Sequence, residues 1–346
     1  MIQYYNININ SVCIHFVGNK NNDELIAISH TGLRVNEDEK VVLINYLLKP
    51  FIHNQEYYEL HHESDIELNV VYAYASKIFG NSESLHEHSV NLAKHLYEQS
   101  THPKIKGGEF YVVYFKDCII DGETVDAVGL FKSENKDTFL KVYPSGDGFE
   151  IESQQGVNIN KLDKGCLIFN TEKENGYVVA VVDNTNKGAE AHYWIDDFLH
   201  VRQRKDEYYN TQNVMSLAKN FVVKELPKTF DVSKADQAEL LNKTTQFFKE
   251  KDTFDMEEFA NEVIAQPEVI DSFNQYKDSY AKERDIEFSD SFSISDTAVK
   301  KQARAFKSVI KLDKNFHIYI HGDRQLIEQG EDNKGKFYKV YYKEEQ

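Results

Sequence analysis

The chain holds 346 residues, 41% of them hydrophobic and 28% charged, with 57 Asp+Glu against 40 Lys+Arg for a formal charge of −17. With 22 Phe, 21 Tyr and only five Pro, that balance excludes a disordered or fibrous chain and points to two domains. No apolar run approaches the roughly 18 residues of a membrane span, residues 1–6 lack a basic-then-apolar leader, and Cys13, Cys118 and Cys166 are too few and scattered for a disulfide framework or a Cys-rich zinc site.

Two apolar runs, Val12-Cys13-Ile14 and Leu25-Ile26-Ala27-Ile28, flank the turn Gly18-Asn19-Lys20-Asn21-Asn22 and predict a hairpin. Asn36-Glu37-Asp38-Glu39 offers a cap and an acidic first turn to a helix carrying Val41, Ile44, Leu47 and Leu48, which Pro50 stops. Asn81-Ser82-Glu83-Ser84 opens another, with Leu85, Val90, Leu92, Ala93 and Leu96 inside it. From Gly107 to about Trp194 the period changes to two. Strands are predicted at 110–115, 124–131, 138–143, 148–152, 166–169, 177–182 and 191–194. Asp121-Gly122, Ser145-Gly146-Asp147-Gly148 and Asn175-Gly176 are hairpin turns between them. Strands this close leave no room for crossover helices, so the sheet is expected to be antiparallel.

Residues 211–285 return to helical spacing. Val214, Leu217, Ala218, Phe221 and Val222 form one stripe, ended by Pro227. Ala238, Leu241, Thr245 and Phe248 mark a second helix near 233–249. Phe254, Phe259, Val263 and Ile264 mark a third, and Val269, Phe273, Tyr276 and Tyr280 a fourth after Pro267. The tail is β-like at 306–312 and 316–320, around Asp313-Lys314-Asn315, and again at 336–342. The expected fold class is α+β. An acidic α+β domain with an antiparallel sheet spans 1–200, and a helical domain closed by a small β-sheet, a C-terminal β-meander, spans 201–346.

The acid is unevenly spread. Residues 1–200 hold 16 Lys+Arg against 30 Asp+Glu, a net of −14; residues 201–346 hold 24 against 27, a net of −3. Two basic islands stand out. Between 299 and 314, Lys300, Lys301, Arg304, Lys307, Lys311 and Lys314 face Asp313 alone; Arg202, Arg204 and Lys205 form a smaller cluster. The larger island reads as a helix to about Arg304 followed by a strand, with Val299, Phe306 and Ile310 as apolar anchors. Cations held on such a face can neutralise phosphates and release counterions. The plainer reading is a solvated face. No side-chain pattern suggests base readout.

Catalytic constellations are missing. No P-loop, GxGxxG, HExxH or GxSxG occurs. On the predicted helix His88 and His95 share a face, but His86 points about 200° away from His88, so the three do not converge on a metal. His61-His62-Glu63 diverge as sequence neighbours. His321-Gly322-Asp323 reads as a turn. No cofactor and no bound metal are expected.

The segment Phe306-Lys307-Ser308-Val309-Ile310-Lys311-Leu312-Asp313-Lys314-Asn315-Phe316 resembles the C-terminal signature of the 37-kDa nucleoid-associated protein family of bacteria. Lys336-Phe337-Tyr338-Lys339-Val340-Tyr341-Tyr342 looks like that family's last strand. Gly107-Gly108-Glu109-Phe110, Trp194-Ile195-Asp196-Asp197-Phe198-Leu199 and Glu287-Phe288-Ser289-Asp290-Ser291-Phe292 are also similar to it, in order, over nearly the whole chain. The resemblance implies a cytoplasmic, nucleoid-associated protein without an enzymatic reaction. It supplies no DNA-contacting residues, so the candidate sites rest on charge alone. The leading expectation is weak, non-specific DNA binding through the two basic islands. The alternative is an adaptor recruited to the nucleoid by a protein partner through its acidic N-terminal domain; a metal-dependent hydrolase is a third class. No membrane partner is expected, and homo-oligomerisation is left open.

Overall fold

The computed structural model describes residues 7–52, 56–120, 122–185, 192–306, 309–312, 316–319, 326–342 and 344. Lys307, Lys314, the turn Asp313-Lys314-Asn315 and His321-Gly322-Asp323 lie outside them, as do residues 1–6, Asp121 and Ala191. The chain divides into two compact units, Met1–Arg204 and Lys205–Gln346.

In the first unit β1 (Asn8–Val17), α1 (Glu37–Leu48), β2 (Tyr57–Leu60), α2 (Val70–Gly80) and α3 (Leu85–Gln99) precede the main run of strands. These are β3 (Gly108–Ile120), β4 (Glu123–Ser133), β5 (Lys136–Ser145), β6 (Gly148–Val157), β7 (Lys164–Phe169), β8 (Val178–Asp183) and, last, β9 (Val201–Gln203). Seven strands form one antiparallel sheet in the order β1-β3-β4-β7-β8-β2-β9, while β5 and β6 pair only with each other. The fold is α+β.

The sheet is covered on both faces, which explains why β3 reads as an almost unbroken apolar run. Phe110, Val112 and Tyr114 point to one side, where Val71, Ala75 and Ile78 of α2 and Leu92 and Leu96 of α3 pack. Tyr111, Val113 and Phe115 point to the other, under Tyr46, Leu47 and Leu48 of α1. Asn36 caps α1 through a reciprocal capping box with Glu39. All three cysteines are buried and free, and burial pushes the Cys118 thiol up to about 12.

Two expected elements differ. Residues 25–28 do not form a hairpin strand; only the bridge Phe16↔Ala27 joins them to β1, which pairs with β3 instead. The distant pairing buries Val12 and Cys13 between layers, whereas Leu25 remains 78% exposed. His192–Trp194 is a helical turn, not a strand, and it runs on into the wide π turn Ile195–Leu199. Trp194 and Phe198, four residues apart, pack with ring centroids 4.9 Å apart and tilted by 37° in the core, the contact that helical backbone gives residues four apart. The short strands β2 and β9 and the helix α2 have no counterpart in the sequence reading.

The second unit begins with α4 (Glu207–Asn220) and α5 (Leu226–Thr229), joined by the π turn Phe221–Glu225. The helix therefore runs past the expected stop. Pro227 sits in the first turn of α5, where its missing N–H is harmless because the π turn has already shifted the ladder. Next come α6 (Lys234–Glu250), β10 (Thr253–Asp255), α7 (Met256–Phe259), α8 (Pro267–Arg284), β11 (Ser291–Ser293) and α9 (Asp296–Ala303). The unit ends in β12 (Val309–Leu312), β13 (Phe316–Tyr319), β14 (Ile327–Asp332) and β15 (Gly335–Val340). Its strands form three antiparallel pairs, β10–β11, β12–β13 and β14–β15. Phe221, Phe247, Phe248, Phe254, Phe259 and Phe273 fill the helical core. Among the described residues no helix is long and apolar enough to cross a membrane.

One polar network lies inside the first unit. Lys132 of β4 and Lys164 of β7 are cross-strand neighbours, both 0% exposed. Two buried like charges side by side are unfavourable unless each is neutralised. Lys132 Nζ lies 3.3 Å from Glu134 Oε1 and donates to the Lys106 carbonyl at 2.8 Å; Lys164 Nζ donates to both Asp183 oxygens, at 2.9 and 2.8 Å. The Tyr193 ring sits 5.4 Å from Lys132 Nζ and 5.1 Å from Lys164 Nζ, and its hydroxyl donates to Glu134 Oε1 at 2.7 Å. Burial, with Glu134 beside it, holds that hydroxyl far above the ordinary phenol range, so it stays protonated. Burial also lowers the Lys132 ammonium, against the pull of Glu134.

Removing one member of this network strands its partner charge. Lys164→Met should destabilise the first unit by about 3–5 kcal/mol, and adding Asp183→Leu should recover much of the loss. Trp194, the chain's single Trp, is fully buried in this unit, so its fluorescence during urea unfolding measures both variants.

His15 gives the same unit a pH dependence. Its Nδ1 accepts from the Ser29 N–H at 3.2 Å, so the proton resides on Nε2 and points to Ser89 Oγ at 2.9 Å. Burial, aided by neighbouring His86, pushes His15 down to about 4 from the usual 6.5. Between those values the unfolded chain binds a proton that the folded chain refuses, so stability falls as pH falls. Urea unfolding at pH 7 and pH 5 should differ by about 2 kcal/mol from this group, and His15→Gln should lose that part of the difference.

Candidate nucleic-acid interface

The larger basic island begins on α9. Ser295 caps the helix by accepting from the Ala298 N–H, and its own backbone N–H donates to Thr211 Oγ1 at 3.0 Å, fixing the helix start to α4. Ala298 and Val299 are buried, so the helix lies on its apolar side. Phe306, just beyond it, is buried in the same core, and Ile310 of β12 packs against Ala235 and Ala238 of α6. These anchors leave Lys300, Lys301 and Arg304 exposed.

Lys300 and Lys301 occupy the last turn of α9 and Arg304 caps its end, where cations complement the negative pole of the helix. Lys300 and Arg304 are one turn apart on the same face, and Lys301 lies about 100° round the axis. Lys301 Nζ is 5.5 Å from the Tyr208 ring of α4. Among the described residues neither Lys300 nor Arg304 has a carboxylate within salt-bridge distance. Lys311 lies in β12 opposite His317. The helix ends at Ala303, and the strand starts at Val309 rather than at Phe306, whose side chain the core takes up.

The smaller island is arranged differently. Arg202 lies on the edge strand β9 directly opposite Glu59 of β2, with Nε 2.6 Å from Glu59 Oε1. Arg204 Nη2 donates to both Glu172 oxygens at 3.0 Å. Lys205, in the second unit, lies 3.3 Å from Glu287 there. Each cation of this island thus has a carboxylate beside it. No sequence signal links Glu59, Glu172 or Glu287 to the cluster, because the partners stand 32 to 143 positions away.

The histidines serve as ties between segments. His86 Nε2 meets the Ser29 carbonyl at 3.0 Å and His95 Nε2 the Phe198 carbonyl at 3.1 Å. Among the described residues no group of three or more His, Cys, Asp or Glu could hold a metal ion.

The family profile described as nucleoid-associated protein YejK matches residues 13–336, a span that runs through both units. No curated protein matches the chain.

Proposed function

The chain belongs to the family of the nucleoid-associated protein YejK, and from that premise we propose that it binds DNA directly, at the cytoplasmic nucleoid, through the exposed cations at the end of α9. One observation carries this reading. In a chain of net charge −17, Lys300 and Arg304 stand exposed, on one face, without a carboxylate partner among the described residues, on a helix whose other side is locked into the core. Such a rigid cationic face meets phosphates without first breaking ion pairs, and each phosphate it neutralises releases counterions. Lys307, Lys311 and Lys314 follow in sequence and add to the same island. The contacts are to the backbone of the nucleic acid, so binding is weak in sequence preference. Arg202, Arg204 and Lys205 contribute less, because each would have to leave a carboxylate. We read the protein as non-enzymatic.

A second reading, an adaptor docking through the acidic first unit, draws on the net of −14 over residues 1–200. The two make different predictions. With the full-length protein on duplex DNA, Lys300→Gln, Lys301→Gln and Arg304→Gln together should lower the slope of log affinity against log salt by about 3, with folding unchanged by circular dichroism. The loss should be equal on unrelated sequences. An unchanged slope would exclude phosphate contact by α9 and favour the adaptor.

A further inference from the structure

Within the first unit β5 and β6 form a ribbon of ten residues a strand, and among the described residues neither strand packs extensively on another element. Their register sorts the side chains into two unlike faces. Val142 stands opposite Ile151, Pro144 opposite Phe149, and Leu140 opposite Ser153, so Leu140, Val142, Phe149 and Ile151 share one face. These four are 65%, 59%, 76% and 66% exposed. The other face carries Asp137, Lys141, Glu150 and Glu152 together with Phe139 and Tyr143, so its apolar groups are interleaved with charges. The ribbon is thus amphipathic, with its apolar face bare. An isolated two-stranded ribbon is marginal in water, and an apolar patch of this kind marks an interaction surface.

The base of the ribbon is fixed. Asp163, just before β7, accepts from the backbone N–H groups of Glu134 and Asn135 at 2.7 and 2.8 Å and from Asn135 Nδ2 at 2.7 Å, joining the two ends of the excursion. Glu134 belongs to the buried Lys132–Tyr193 network. Asn158 Nδ2 donates to Asp137 Oδ2 at 2.6 Å. A rigid root therefore presents an apolar arm.

We propose that this arm is a homodimerisation element, stacking its apolar face on the same face of a second copy across a two-fold axis. Three features select that occupant. The only charge on the apolar face, Lys136, is already paired with Glu109, so covering the face strands no ion. The opposite face is net acidic, which repels nucleic acid and anionic membranes. The surface needed is flat, uncharged and apolar, and the arm itself is such a surface; a two-fold axis makes it self-complementary. Area agrees. At roughly 150 Å² per large apolar side chain, the observed exposures leave on the order of 400 Å² per arm and about 800 Å² per pair. Thr138, Ser153 and Gln155, on the same face, carry the pair to the ~1,000 Å² that a specific interface needs.

Light scattering on the full-length protein after size exclusion tests this. The expected mass is twice 40.2 kDa, falling to a single chain in Val142→Asp/Ile151→Asp with an unchanged circular dichroism spectrum. Glu150→Gln/Glu152→Gln, on the acidic face, should remain dimeric. The three native thiols are buried, so a short bis-maleimide should join copies of Leu140→Cys but not of Lys141→Cys. A single-chain mass for the wild type at about 100 µM would overturn the proposal. So would a dimer that survives the double Asp variant, or equal cross-linking from positions 140 and 141.

Discussion

The first unit is organised around a pair of buried ammonium groups. Strand pairing sets Lys132 beside Lys164 in the interior, and the sheet can close there only if both charges are met. Glu134 and Asp183 meet them, and Tyr193 lies against both cations with its hydroxyl on Glu134. The helical turn at His192–Trp194 follows from this need, since Tyr193 has to reach the lysines while Trp194 fills the core beside Phe198. Glu134 also stands where β4 turns outward, next to the backbone groups that Asp163 holds. One network therefore secures the centre of the sheet and the root of the β5–β6 arm.

The two units divide the chemistry. The first carries the surplus acid and an amphipathic arm whose apolar face is bare. The second carries a helix end where Lys300 and Arg304 are exposed and, among the described residues, have no carboxylate within salt-bridge distance, while Ala298 and Val299 just before them are buried. Ala298, Val299 and Phe306 anchor that helix, so Lys300 and Arg304 are displayed on its exposed side. The smaller island shows the opposite outcome: Arg202 and Arg204 are absorbed by Glu59 and Glu172. Identical residue types thus have different uses, depending on which carboxylates the fold delivers to them.

Local signals were written plainly in the chain. The capping sequence at Asn36, the helical stripes from Val214 to Tyr280, the alternation of β3 and β4 and the glycine turn of the β5–β6 ribbon each follow from spacing and backbone preference within a few residues. The basic character of 299–314 is likewise a property of composition. What tertiary structure decided were matters of long-range partnership. It took β1 to β3 rather than to residues 25–28, and inserted β2 and β9 at the far edge of the sheet. It buried Lys132 and Lys164 against carboxylates, and it left Leu140, Val142, Phe149 and Ile151 uncovered. The reason is physical: periodicity reports which side chains share a face, whereas burial and charge neutralisation depend on what the chain brings against that face from a hundred residues away.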